Sequence, residues 1–98
     1  MTELLTHQQI EQAMGGLPGW KLDGGALHGA FRAADFVGAL AFVTAIGALS
    51  ESAGHHPDID IRYDRVNLTL TTHDVGGLTV KDFSLARQID IAAAGLVV

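Results

Sequence analysis

Hydrophobic and polar positions repeat with two different periods along this chain, and each change of period marks an element. Thr6 and Gln9 have the spacing of a capping box, with Leu5 and Ile10 placed as a hydrophobic staple, so a first helix is predicted over about residues 6–14. Gly15-Gly16 stops it and Pro18-Gly19 turns the chain. Trp20 opens a short strand and Asp23-Gly24-Gly25 forms a tight turn. Residues 26–33 return as a second strand, with Leu27 and Phe31 on one face and His28 and Arg32 on the other. After Asp35, a predicted N-cap, the period becomes helical. Phe36, Leu40, Val43, Ile46 and Leu49 predict the longest helix, over about residues 36–52. Ala39, Ala41, Ala45 and Ala48 cover much of its remaining surface, so it is expected to pack on more than one side. Gly54 ends it, and Pro57 restricts His56 to extended conformations.

Strict alternation then returns. Ile59, Ile61 and Tyr63 alternate with Asp60 and Arg62, and Val66, Leu68 and Leu70 alternate with Asn67, Thr69 and Thr71. Two half-buried strands joined by an Asp64-Arg65 loop are predicted. In that register Tyr63 pairs with Val66, Ile61 with Leu68 and Ile59 with Leu70, which puts the apolar sets on one face. Gly76-Gly77 closes the next segment, and Thr79 caps a final helix with Asp82 in its first turn. The element order is α-β-β-α-β-β-α. It predicts an α+β fold, a four-stranded antiparallel sheet with helices packed on one face, as one domain over residues 1–98.

Composition narrows the function classes. Apolar residues are 48% of the 98 and charged residues 17%, which leaves room for an apolar surface patch and a subunit interface. The absence of cysteine excludes disulfides and thiolate metal sites, and fits a reducing cytoplasm. A net charge of −5 with no Lys/Arg run argues against binding to nucleic acid or an anionic membrane. The first residues lack the basic region and long apolar core of a signal peptide. The apolar stretch over residues 36–49, with two glycines, is expected to be too short to span a bilayer.

The candidate chemistry lies in His55-His56-Pro57-Asp58 and in His73, three of the five histidines within 19 residues. Histidine titrates near neutrality, so such a cluster suits proton transfer. The predicted register, extended, sets His56 beside His73 with Cβ atoms roughly 5 Å apart, and leaves His55 at the corner. Glu51, four residues before His55, is placed either to hydrogen-bond an imidazole or to sit as a solvated helix-end carboxylate. His7 and His28 read as surface residues. A metal site using three imidazoles with Asp58 or Asp74 is the first rival, but the adjacent side chains of His55 and His56 diverge from an extended chain. Nucleophilic catalysis has no elbow and no thiol, and Gly76-Gly77 lacks the Lys-Ser/Thr of a phosphate loop. General acid–base chemistry is the most economical use of the cluster.

These residues also resemble a known family. Glu51-x-x-x-His55-His56-Pro57-Asp58, Tyr63-x-x-Val66, Leu70-Thr71-Thr72-His73-Asp74 and Gly77-Leu78-Thr79-x-x-Asp82 are similar to the pterin-4a-carbinolamine dehydratases. Upstream, Gly19-Trp20, Phe31, Asp35-Phe36, Ala39 and Phe42 extend the resemblance over roughly residues 5 to 92. It implies dehydration of a 4a-hydroxytetrahydropterin to the quinonoid dihydropterin, in tetrahydropterin recycling, without metal or cofactor. It implies His55, His56 and His73 as catalytic residues, with His56 and His73 moving protons and His55 orienting the substrate or sharing that role. Glu51, Pro57, Thr71, Thr72 and Asp74 are implied as substrate-binding residues, the two threonines and their backbone at the amide edge of the pterin. The implied partners are a small pterin substrate and further copies of the chain, as a homodimer or a tetramer. The chain departs from the family at Ile59, where many members carry an aromatic residue, at Gly54, acidic in some, and at Asp64, commonly asparagine. Some dehydratase-like proteins act instead as assembly or dimerisation factors, and that is the alternative function.

Overall fold

The computed structural model describes residues 3–97. Short-range side-chain chemistry sets most element boundaries. Helix α1 (His7–Met14) carries the expected capping box: Thr6 Oγ1 accepts from the Gln9 amide at 3.1 Å, and Gln9 Oε1 accepts from the Thr6 amide at 2.8 Å. Strands β1 (Trp20–Asp23) and β2 (Ala26–Arg32) join through Gly24-Gly25, both in the left-handed region that a tight two-residue hairpin requires. Asp35 caps α2 (Phe36–Ala53) by accepting from the Gly38 amide at 2.7 Å, and Gly54, at φ 62°, ends it. Strands β3 (Asp58–Arg62) and β4 (Arg65–Leu70), a 3-10 turn (His73–Val75) and α3 (Val80–Ala93) complete the order.

The sheet is antiparallel in the order β1-β2-β4-β3. Leu27, Val66, Leu68 and Leu70 line its buried face against Phe42 and Ile46 of α2 and Leu85 and Ile89 of α3. The predicted α+β architecture is therefore present. By length and composition α2 could cross a membrane, since it outruns the expected apolar stretch to reach 18 residues at mean hydropathy 1.6. Here Ala39, Phe42, Ile46 and Ser50 are buried in the domain, while Phe36, Val37 and Leu40 remain exposed on its other side.

Pairing of β3 with β4 differs from the sequence expectation by two residues. Arg62 faces Arg65, Ile61 faces Val66, Ile59 faces Leu68 and Asp58 faces Thr69, so the loop is Tyr63-Asp64 rather than Asp64-Arg65. A two-residue slip leaves every side chain on its original face, which is why the alternation pattern could not detect it. The cause is a tie to β2. Asp64 accepts from the Ala33 amide through its backbone carbonyl at 2.7 Å, and from Arg32 Nε through its carboxylate at 3.1 Å. Holding Asp64 there puts Tyr63 at φ 55°, a left-handed conformation that non-glycine residues rarely adopt. In the observed register residue 56 extrapolates to a place opposite residue 71, not 73, and the ladder ends at Asp58, next to Pro57.

Packing at the β1–β2 hairpin yields a first prediction. Trp20, Phe31 and Phe42 meet edge to face, with ring centroids 5.8 and 5.0 Å apart, and Trp20 Nε1 donates to Asp90 Oδ1 at 2.8 Å. Gly29 fits beneath this stack. An added Cβ would stand 2.9 Å from Trp20 Cζ3 and 3.0 Å from Phe31 Cε2. Gly29→Ala is expected to destabilise by about 1–3 kcal/mol, read as a lower urea midpoint with a perturbed tryptophan emission.

Candidate active site

Three stretches of chain converge at one end of the sheet. The α2–β3 corner brings Gly54, His55 and His56. The segment after β4 brings Thr71, Thr72, His73 and Asp74, and the first turn of α3 brings Lys81. Together they line a cleft of about 220 Å³. The left-handed Gly54 makes the corner possible, and the His55 amide closes it by donating to the Ser50 carbonyl at 3.1 Å. After β4, the Thr72 amide donates to the Gly77 carbonyl at 2.9 Å, while the Thr72 carbonyl accepts from the Val75 and Gly76 amides at 3.2 and 3.0 Å. That looped backbone carries His73 into the cleft. The two histidines expected to sit side by side on a ladder are thus brought into one cleft by a 3-10 turn.

Beneath the cleft lies Asp82, fully buried, with each carboxylate oxygen engaged. Oδ1 lies 2.6 Å from His55 Nε2, and Oδ2 accepts from Thr72 Oγ1 at 2.8 Å and from the Thr79 amide at 3.0 Å. A carboxylate only accepts, so the proton positions follow. The Thr72 hydroxyl donates to Asp82, and Thr79 Oγ1, 2.8 Å away, donates in turn to Thr72. His55 must carry its proton on Nε2, which leaves Nδ1 of the neutral ring as an acceptor. No buried side-chain polar atom among the described residues lacks a partner.

His56 obeys the same rule with a different carboxylate. Its Nε2 contacts Glu51 Oε2, so the neutral ring again presents Nδ1, but this pair is exposed where the His55–Asp82 pair is sheltered. The helix-end carboxylate is therefore an imidazole partner, and it serves the second histidine of the pair. His73 is exposed and makes no ring hydrogen bond among the described residues. Asp74 lines the cleft, whereas Pro57 stays outside its lining and acts on the backbone. Thr71 donates its hydroxyl to the Gly25 carbonyl at 3.0 Å, and Thr72 spends its hydroxyl and both backbone groups internally. Neither threonine hydroxyl is free to donate to a ligand. Among the described residues no His, Asp and Glu side chains form a group of three able to hold a metal ion. Two site residues escaped the sequence reading. Asp82 showed as part of a helix cap three positions after Thr79 and within the family-like motif, but not as a site residue, and Lys81 carried no signal at all.

Residues 3–92 match the family model described as pterin 4 alpha carbinolamine dehydratase. The chain belongs to this family. A curated family relative from Chloroflexus aurantiacus, named "putative pterin-4-alpha-carbinolamine dehydratase", is 54% identical over 86 residues, covering 88% of this chain and 92% of its own. Among solved structures, a transcriptional coactivator/pterin dehydratase from Brucella melitensis superposes with a TM-score of 0.88 at 33% identity, over 93% of this chain and 99% of that one. A pterin dehydratase-like protein described as a RuBisCO assembly factor in the alpha-carboxysome superposes with a TM-score of 0.62 at 28% identity, over 76% of this chain and 86% of that one.

Proposed function

We propose that this protein dehydrates a 4a-hydroxytetrahydropterin to the quinonoid dihydropterin and water by histidine acid–base catalysis, as a step in tetrahydropterin recycling. The observation that carries this reading is the pair of histidines held through Nε2 by separate carboxylates, in one cleft with a third histidine whose ring makes no hydrogen bond among the described residues. His73, as the imidazolium, protonates the 4a-hydroxyl, and the C4a–O bond breaks with loss of water. Nδ1 of neutral His56 removes the proton from the adjacent ring nitrogen as the C=N bond forms. One proton is given and one is taken, so the reaction closes without a cofactor. His55, fixed by Asp82, orients the ring. Two positioned imidazoles, one donating a proton and one accepting it, suit a reaction that needs both an acid and a base.

The test is to generate the carbinolamine chemically and follow its decay in the ultraviolet. Wild-type protein is expected to accelerate the decay in proportion to its concentration, and a rate equal to buffer would refute the reading. That refutation would favour the alternative, a non-catalytic binding or assembly factor, which is supported by the resemblance to a protein described as a RuBisCO assembly factor.

The same proposal includes a homodimer formed through α2. From Phe36 to Ser50 this helix has no charged residue, yet Val37 is 72% and Leu40 42% exposed. Its large exposed side chains, Phe36, Val37 and Leu40, lie near the N-terminal end, and beyond Thr44 its exposed face continues with the small Ala48. An antiparallel pair centred on Thr44 would set Leu40 of one copy against Ala48 of the other. The Thr44 hydroxyl is already satisfied by the Leu40 carbonyl at 2.9 Å, so it adds no unpaired donor to such a contact. Sedimentation at micromolar concentration is expected to give a dimer for wild type and a monomer for Leu40→Glu. A monomeric wild type would defeat the proposal.

A further inference from the structure

The cleft, at about 220 Å³, is small beside the roughly 300–1,000 Å³ usual for small-molecule sites. A second groove of about 450 Å³ adjoins it, with His55 and Lys81 as a common wall. Its lining sets apolar Val80 and Leu85 beside Lys81, Ser84, Arg87 and Gln88, with no carboxylate among them. This is unusual on a chain of net charge −5. Of the six Lys and Arg side chains, Arg32 and Arg62 pair with carboxylates, whereas Lys81 and Arg87, like Lys21 and Arg65, form no ion pair among the described residues. Lys81 and Arg87 lie six positions apart on α3, about 9 Å along the helix axis. Two cations flanking neutral hydrogen-bonding side chains, with apolar Val80 and Leu85 beside them, are suited to a short tail ending in an anion, which arginine can grip with two parallel hydrogen bonds.

We infer that this groove is a subsite for an anionic group, a carboxylate or phosphate ester, on the C6 substituent of the pterin. The inference rests on the dehydratase reading. The groove opens at the His55–Lys81 wall and shares nothing with the Thr71–His73 side. A pterin ring held in the cleft beside His56 and His73 can therefore extend its C6 tail past the His55–Lys81 wall into the groove.

The experiment compares kcat/KM for three carbinolamines, carrying a neutral dihydroxypropyl tail, the phosphate ester of that tail, or a carboxylate-terminated tail. Wild type is expected to prefer at least one anionic tail by about tenfold, mostly through KM, the worth of one charge-assisted hydrogen bond. The two anionic arms tell phosphate from carboxylate. Arg87→Gln is expected to bring the ratio of anionic to neutral substrate close to one, Arg87→Lys to restore part of it, and added salt to erode it in wild type. Equal kcat/KM for all three tails in wild type, or a preference untouched by Arg87→Gln, would overturn the inference. Calorimetric binding of the corresponding oxidised pterins gives an independent readout. Tail-dependent affinity without turnover would refute the dehydratase reading and keep the subsite, and tail-independent affinity would remove the subsite.

Discussion

Alanine at position 73 is expected to lower kcat for carbinolamine dehydration by about 10²- to 10⁴-fold, the usual worth of a positioned acid or base. Stability is expected to change by less than about 0.5 kcal/mol, because the ring is exposed and bonds to no other group among the described residues. That separation makes His73 the cleanest probe of the site. His56→Ala is expected to lose rate as well, and it also releases the exposed Glu51 carboxylate, with small structural consequence. Added imidazole is expected to restore part of the rate of His73→Ala, since the cleft opens to solvent at that residue. A variant that keeps the wild-type rate at His73 and at His56 would remove the acid–base assignment.

Asp82→Ala is expected to produce the largest loss of stability, about 3–5 kcal/mol. The change strands the Thr72 hydroxyl, the Thr79 amide and the His55 ring in a buried site and leaves a void beneath them. For a domain of this size that is a fall in melting temperature of more than about 12 °C. Asp82→Asn separates fold from chemistry. An asparagine that still accepts from Thr72 and Thr79 must turn its NH₂ toward His55, which forces Nε2 to become the acceptor and moves the ring proton to Nδ1. Much of the stability is then expected to remain while turnover falls. Nitrogen chemical shifts of the His55 imidazole report the tautomer directly, and an unchanged tautomer with full activity would show that Asp82 serves the fold alone.

The residues that declared themselves in the sequence act over short range. Thr6, Asp35 and Thr79 each cap a helix with a donor two or three positions away, and Gly24-Gly25 supplies the hairpin conformation. The alternation around Ile59–Ile61 and Val66–Leu70 identified the buried face, but a slip by two preserves that face. The deciding contact, Asp64 with Arg32 and Ala33, joins residues about thirty positions apart. The site divides in the same way. His55, His56 and His73 were legible as a cluster, and Glu51 as a candidate partner. The partner of His55 lies 27 residues on, in a helix cap, where the pattern of the sequence accounted for it without reference to the histidine. Lys81 and Arg87 looked like ordinary helix-surface cations until the fold set them beside a groove that no carboxylate lines.

Asp82 also fixes when the site can exist. Its carboxylate binds the corner after α2, the segment after β4 and the first turn of α3, so no two of these can reach working geometry without the third. Helical signal can accumulate during refolding before α3 has docked, since most of a helix is made of local bonds. Turnover cannot. In a refolding jump, dehydratase activity is therefore expected to return with the last conformational phase and to serve as a clock for the completion of tertiary structure, whatever the far-ultraviolet spectrum has already recovered.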